Sequence, residues 1–130
     1  MEIRRNEATI NRPEGDRVID APFVFASLPS FILQLKKEDA WSKSDRNGIT
    51  IFKTGNVTVV LTALHKDAEV IDTAVDGIMT VQVIEGAVRI STSEGDTELK
   101  EKEMVAFHPN TTHSVKATME SVLLITNSSL

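Results

Sequence analysis

The sequence predicts an all-β domain, a sandwich or barrel of short antiparallel strands preceded by one short helix, and three observations carry that reading. From Ile49 to Thr126, apolar and β-branched residues alternate with a period of two in a series of short runs. Turn-forming residues punctuate those runs at Thr54-Gly55-Asn56, Glu85-Gly86, Ser93-Glu94-Gly95-Asp96 and Pro109-Asn110. Only one segment, Phe31 to Glu38, carries a helical period instead. At 130 residues and 41% hydrophobic content the chain fits a single core and leaves little for a second.

Taken in order, residues 1–20 are charged and lack a clean period, which predicts an extended arm whose ordering depends on a surface to dock on. The remainder, 21–130, is predicted as the folded domain. Ala21 to Leu28, with Phe23, Val24 and Phe25, reads as a short strand. Pro29-Ser30 then supplies a stop and an N-cap hydroxyl. In the helix that follows, Phe31, Ile32 and Leu35 fall on one side and Gln34, Lys36, Lys37 and Glu38 on the other. Ser42 to Gly48 is turn material, with Asn47-Gly48 suited to a chain reversal. Strands are expected at Ile49 to Lys53, Val57 to His65, Ile78 to Glu85, Ala87 to Ser91, Thr97 to Lys100, Met104 to Phe107, His113 to Ala117 and Ser121 to Thr126.

Composition narrows the function. Fourteen Lys and Arg against nineteen Asp and Glu give a formal net charge of -5, so no basic field draws in a nucleic acid. No apolar run is long enough to span a bilayer, and no apolar core follows the early arginines as a secretory signal requires. With no cysteine, disulfides, thiolate metal sites and thiol nucleophiles are excluded, and a cytoplasmic location is the expectation. There is no Gly-x-Ser-x-Gly elbow, phosphate-binding glycine loop, His-Glu-x-x-His pair or calcium loop. His113 and Ser114 are adjacent on a strand and so point to opposite faces, which prevents them from acting as base and nucleophile.

The runs Leu61 to Glu69, Thr80 to Gly86, and Met104 to Phe107 leading into His113-Ser114-Val115 resemble those of small single-domain cupins, from about Phe23 to the C-terminus. The resemblance implies a double-stranded β-helix, or jelly roll, with one short N-terminal helix. It also implies a metal site that has been largely dismantled. Gly86 matches the end of the family's first motif, but Asp72, Thr73, Ala74 and Val75 stand near its histidines and Met79 where its glutamate would fall. His113 matches the last ligand, while His108 and Asn110 replace the proline and glycine that precede it.

Two readings of the interior follow. In the first, an apolar cavity lined by Met79, Val81, Val83, Phe107, His113 and Val115 binds a small molecule without a cofactor, and these residues equally suit a plain core. In the second, His65, His108 and His113, the only histidines, rebuild a divalent metal site with help from Glu69 or Asp72, giving a dioxygenase or isomerase type of enzyme. The first is the expectation. Taken singly, His65 reads as a solvated strand end, His108 as a loop residue, Arg89 and Glu85 as surface charges, and Trp41 as a cover over the barrel end. Gln82 and Thr80 face away from the interior, where Gln82 reads as a solvent-facing amide; the resemblance implies that a second subunit can pack on this face, and Gln82 would then hydrogen-bond across the interface. A homodimer that hides sheet edges is the expected assembly, with the arm able to cross to the partner.

Overall fold

The computed structural model describes residues 1–73 and 75–129. Among them the elements run β1 (Arg4–Asn6), β2 (Arg17–Asp20), α1 (Leu28–Lys37), α2 (Asp39–Lys43), β3 (Arg46–Lys53), β4 (Val57–Leu64), β5 (Glu69–Thr73), β6 (Ile78–Glu85), β7 (Ala87–Thr92), β8 (Gly95–Lys100), β9 (Met104–Phe107), β10 (His113–Ala117) and β11 (Ser121–Ser128). The strands form a five-stranded sheet in the order β3-β4-β11-β6-β9 and a four-stranded sheet in the order β5-β10-β7-β8, with β1 and β2 as a separate pair. Every pairing is antiparallel.

Period two assigns the faces. Leu64, Met79, Val81, Val83, Phe107 and Leu123 of the larger sheet meet Val88, Ile90, Leu99, Val115 and Ala117 of the smaller one in a single buried cluster. The alternate residues of the larger sheet, including Ile49, Leu61, Ala63 and Val122, form a second core on its outer face. Helix α1 covers that face with Leu28, Phe31, Ile32 and Leu35, an i, i+3, i+4, i+7 stripe. The molecule is thus helix on sheet on sheet, and the helix spacing legible in the sequence faces the outside of the sandwich.

Several boundaries differ from the sequence expectation, each for a tertiary or capping reason. Ala21 to Leu28 is not a strand. Ser27, not Ser30, caps α1, its hydroxyl accepting from the Ser30 amide at 3.4 Å, and Pro29 sits inside the first turn, where no intrahelical amide is needed. There are two short helices rather than one, with Trp41 inside α2. Asn47 and Gly48 lie within β3 rather than in a turn. Asn47 is buried because its Nδ2 donates to the Leu35 carbonyl at 2.9 Å, where α1 leaves an acceptor unused, and to Glu38 Oε1 at 3.1 Å. Strand β5 has no counterpart among the expected strands.

Residues 1–20 dock on their own chain. Arg12 Nε donates to both Glu38 oxygens, at 3.1 and 3.0 Å, and its terminal nitrogen reaches Asn47 Oδ1 at 3.2 Å and the Gly48 carbonyl at 2.7 Å. Arg17 donates twice to the Thr50 carbonyl, at 2.9 and 2.7 Å. These bonds hold the β1–β2 pair against the start of β3 and the end of α1.

Candidate functional site

His113 opens β10 on the face that turns inward, two residues before Val115 and four before Ala117. Only 2% of it is exposed. Its ring lies flat on Phe107, centroids 3.9 Å apart and planes 6° from parallel. Nδ1 is 3.0 Å from the Thr111 carbonyl, and a carbonyl only accepts, so Nδ1 carries the hydrogen. In the uncharged ring Nε2 is then a bare acceptor, and this buried atom has no partner among the described residues. Buried polar groups are nearly always bonded, so such an exception calls for a reason.

The structure brings the predicted interior residues together. Phe107 pairs in register with Met79, and Met79, Val81, Val83, Phe107 and Val115 share the cluster between the sheets. It does not bring the three histidines together. His65 follows β4 and is held elsewhere: its ring stacks on Trp41 at 3.5 Å, and Nε2 donates to the Trp41 carbonyl at 2.7 Å. Its expected place as a solvated strand end is therefore corrected, because the α2 indole covers it. His108 is exposed on the loop after β9, and Arg89 is exposed on β7. Trp41 packs in the outer core beside α1 and not over the interior. Glu85 is 3.7 Å from Lys36, which also meets Glu120 at 2.9 Å.

The residues around His113 do not fit the divalent metal that the resemblance implies. Its stacking partner is a phenyl ring, and Met79, next in register, offers a soft thioether rather than a carboxylate. Among the described residues no group of three or more His, Asp or Glu is placed to hold an ion. The side chains of Asp72, Thr73 and Ala74, near the first motif's histidine positions, lie outside the described residues.

One inward residue escaped the sequence reading. The expected last strand stopped at Thr126, but β11 continues to Ser128 and carries Asn127 two residues beyond Ile125 on the interior face. Its Oδ1 is the other buried side-chain atom without a partner among the described residues. The signal was present: Leu123, Ile125 and Asn127 keep the period, and the polar residue breaks an apolar series.

A two-layer antiparallel β-sandwich with a buried histidine near one end of its interior defines a class of fold before any comparison is made. Structural likeness then gives it a family resemblance at the level of fold. A cupin superfamily protein from Desulfitobacterium hafniense superposes with a TM-score of 0.64 at 10% identity, over 65% of this chain and 78% of that one. An RmlC-like cupin from Shewanella frigidimarina gives 0.62 at 16% identity, over 66% of this chain and 78% of that one. The salicylate 1,2-dioxygenase from Pseudoaminobacter salicylatoxidans gives 0.58 at 16% identity, over 65% of this chain but 27% of that one. No protein-family model matches the sequence, and no curated protein matches it. The chain thus has the fold of cupin proteins, a fold that hosts an enzyme among these examples and does not by itself assign a chemistry.

Proposed function

We propose that the two sheets close as a double-stranded β-helix around a site that binds a small molecule, making this a metal-poor binding or accessory module. The observation that carries the reading is His113 Nε2, a buried bare acceptor on a ring that stacks on Phe107 and shares a face of β10 with Val115, with no partner among the described residues. Leaving a buried acceptor unpaired costs about 1–3 kcal/mol, and a ligand donor would recover that. The pattern of one polar group in an apolar enclosure is what orients a small ligand. A cytoplasmic location, compatible with the absence of cysteine, belongs to the same proposal.

Native mass spectrometry of the freshly purified chain tests it. The wild type is expected to carry an added small-molecule mass that denaturation releases and that His113→Phe lacks. The variant is expected to stay within about 1 kcal/mol of wild-type stability, since a ring still stacks on Phe107 and an unpaired polar atom is removed. Two proteins at their bare masses would sink the reading. Near-stoichiometric iron, zinc, manganese or nickel, lost in His113→Ala, would replace it with the metal-dependent enzyme.

The partner proposed for the assembly is a second copy of the chain. Phe23 and Phe25, each 85% exposed, lie in the unpaired segment that leads into α1, and Leu33 and Met104 are also exposed. The two phenylalanines alone leave about 300 Å² of apolar surface in water, as large as the biggest patch on many monomers. A dimer is expected by light scattering at micromolar concentration, and Phe23→Ser with Phe25→Ser is expected to shift it toward monomer. A monomeric wild type would refute this.

A further inference from the structure

The two buried acceptors without partners, His113 Nε2 and Asn127 Oδ1, lie at the same end of the interior. Phe107 on β9, Met79 on β6, Asn127 on β11 and Thr58 on β4 are directly opposite one another, strand by strand, in one row across the larger sheet. All four positions face inward, because Phe107, Met79, Leu123 and Leu64 do, and strand alternation carries that face to Asn127 and Thr58. His113, from the opposite sheet, lies on the Phe107 ring at one end of this row. Asn127 stands two strands away with Met79 between them. At roughly 4.8 Å per strand, Phe107, on which His113 lies, and Asn127 are about 10 Å apart along the row.

Charge narrows what can occupy that span. Among the described residues the buried polar or charged ones are Asp20, Asn47, His113 and Ser121, and of these four only His113 faces the space between the sheets. Asp20 belongs to β2, Asn47 is bonded to α1 and Glu38, and Ser121 Oγ is engaged by Ala87. Among the described residues no buried cation is therefore available there to meet a carboxylate or phosphate, which would be desolvated without compensation. Two acceptors select for donors.

Resting on the binding role proposed above, we infer that the interior takes an uncharged small molecule with a hydrogen-bond donor at each end and an apolar middle. One donor meets His113 Nε2, the other meets Asn127 Oδ1, and the middle lies over Met79 beside Phe107. Asn127 is the residue that sets specificity for the second donor. A para-benzenediol has its hydroxyls about 5.5 Å apart, and with a bond of about 2.8 Å at each end it spans about 11 Å, close to the separation in the row.

The experiment titrates the isotope-labelled full chain with hydroquinone, phenol, 1,4-dimethoxybenzene and benzoate, following the His113 imidazole and the Asn127 side-chain amide by NMR. Hydroquinone is expected to shift both signals and to bind at least tenfold tighter than phenol. Dimethoxybenzene, which has no donors, and benzoate, which is charged, are expected to bind more weakly than phenol. Asn127→Leu is expected to bring hydroquinone down to the affinity of phenol while leaving phenol unchanged. The wild-type ligand series stands whether or not that variant folds. Equal binding of phenol and hydroquinone, both moving His113 but not Asn127, would overturn the two-donor inference and leave the binding role intact. Preference for benzoate would overturn it likewise. If none of the four moves His113, both this inference and the binding role lose their support.

Discussion

Gly86→Ala is expected to destabilise the protein by about 3 kcal/mol or more, a large share of the roughly 5–15 kcal/mol that typically holds a domain folded. Gly86 joins β6 of one sheet to β7 of the other at φ +89°, a conformation that a side chain disfavours. A Cβ there would also lie 2.4 Å from the Glu120 carbonyl oxygen and from Ser121 Oγ. Neither neighbour can yield cheaply. The first is backbone, and Ser121 Oγ accepts from the Ala87 amide at 3.1 Å and has the Met119 and Ala87 carbonyls at 2.8 and 3.0 Å to receive its single hydrogen. Two other glycines separate the contributions. Gly95, at φ +123° with nothing within 4 Å, is expected to cost only the conformational part, about 1–2 kcal/mol. Gly55, with neither constraint, is expected to be neutral or slightly stabilising as alanine. Urea unfolding followed by circular dichroism measures all three, and a Gly86→Ala midpoint matching that of Gly95→Ala would show that the contact with the Glu120 turn contributes nothing.

The second large effect is at Arg12. Arg12→Ala is expected to cost about 3 kcal/mol, because it breaks an ion pair in which the Glu38 side chain is only 8% exposed. Hydrogen exchange should then quicken in β1 and β2 first, while β4, β6 and β11 keep their protection. Uniform loss across the sandwich would mean that the arm is not a separate docking unit. The same pair sets a pH dependence. Burial raises the Glu38 pKa, but hydrogen bonds from Arg12, Asn47 and Gln34, with the charge of Arg12, more than offset this and hold it below the usual glutamate value. A carboxylate with a lowered folded pKa stabilises fully above its unfolded value, about 4.3, and loses that contribution as pH falls through the lowered one. Wild type is therefore expected to exceed Glu38→Gln by about 2 kcal/mol at neutral pH, with the gap closing below about pH 4. A gap that persists at pH 3 would contradict the assignment.

The sandwich was legible because strand alternation is local. Spacing alone put Met79, Val81 and Val83 on one face of a strand and His113 with Val115 on one face of another, and the resemblance to cupins turned these, with Phe107, toward a shared interior. The histidine trio was not legible in the same way. Whether His65 meets His113 or Trp41 depends on where α2 lies, and α2 has too little apolar periodicity to declare itself. Asn127 was missed because the strand was ended at the first polar run, although β4 and β6 pair with it to Ser128. The arm looked unstructured because its order comes from Arg12 and Arg17, whose partners are 26 to 36 residues away.

What the sequence determined by itself is therefore which residues alternate, where the chain turns at Gly86, and which face each strand buries, since these follow from bonds between near neighbours. Only the tertiary structure decided that β11 lies between β4 and β6, that α1 covers the outer face, and that Glu38 receives Arg12. It also decided that two acceptors share one end of the interior. A period of two says which way a side chain points and nothing about what stands opposite, because that is set by strand order and register across long stretches of chain.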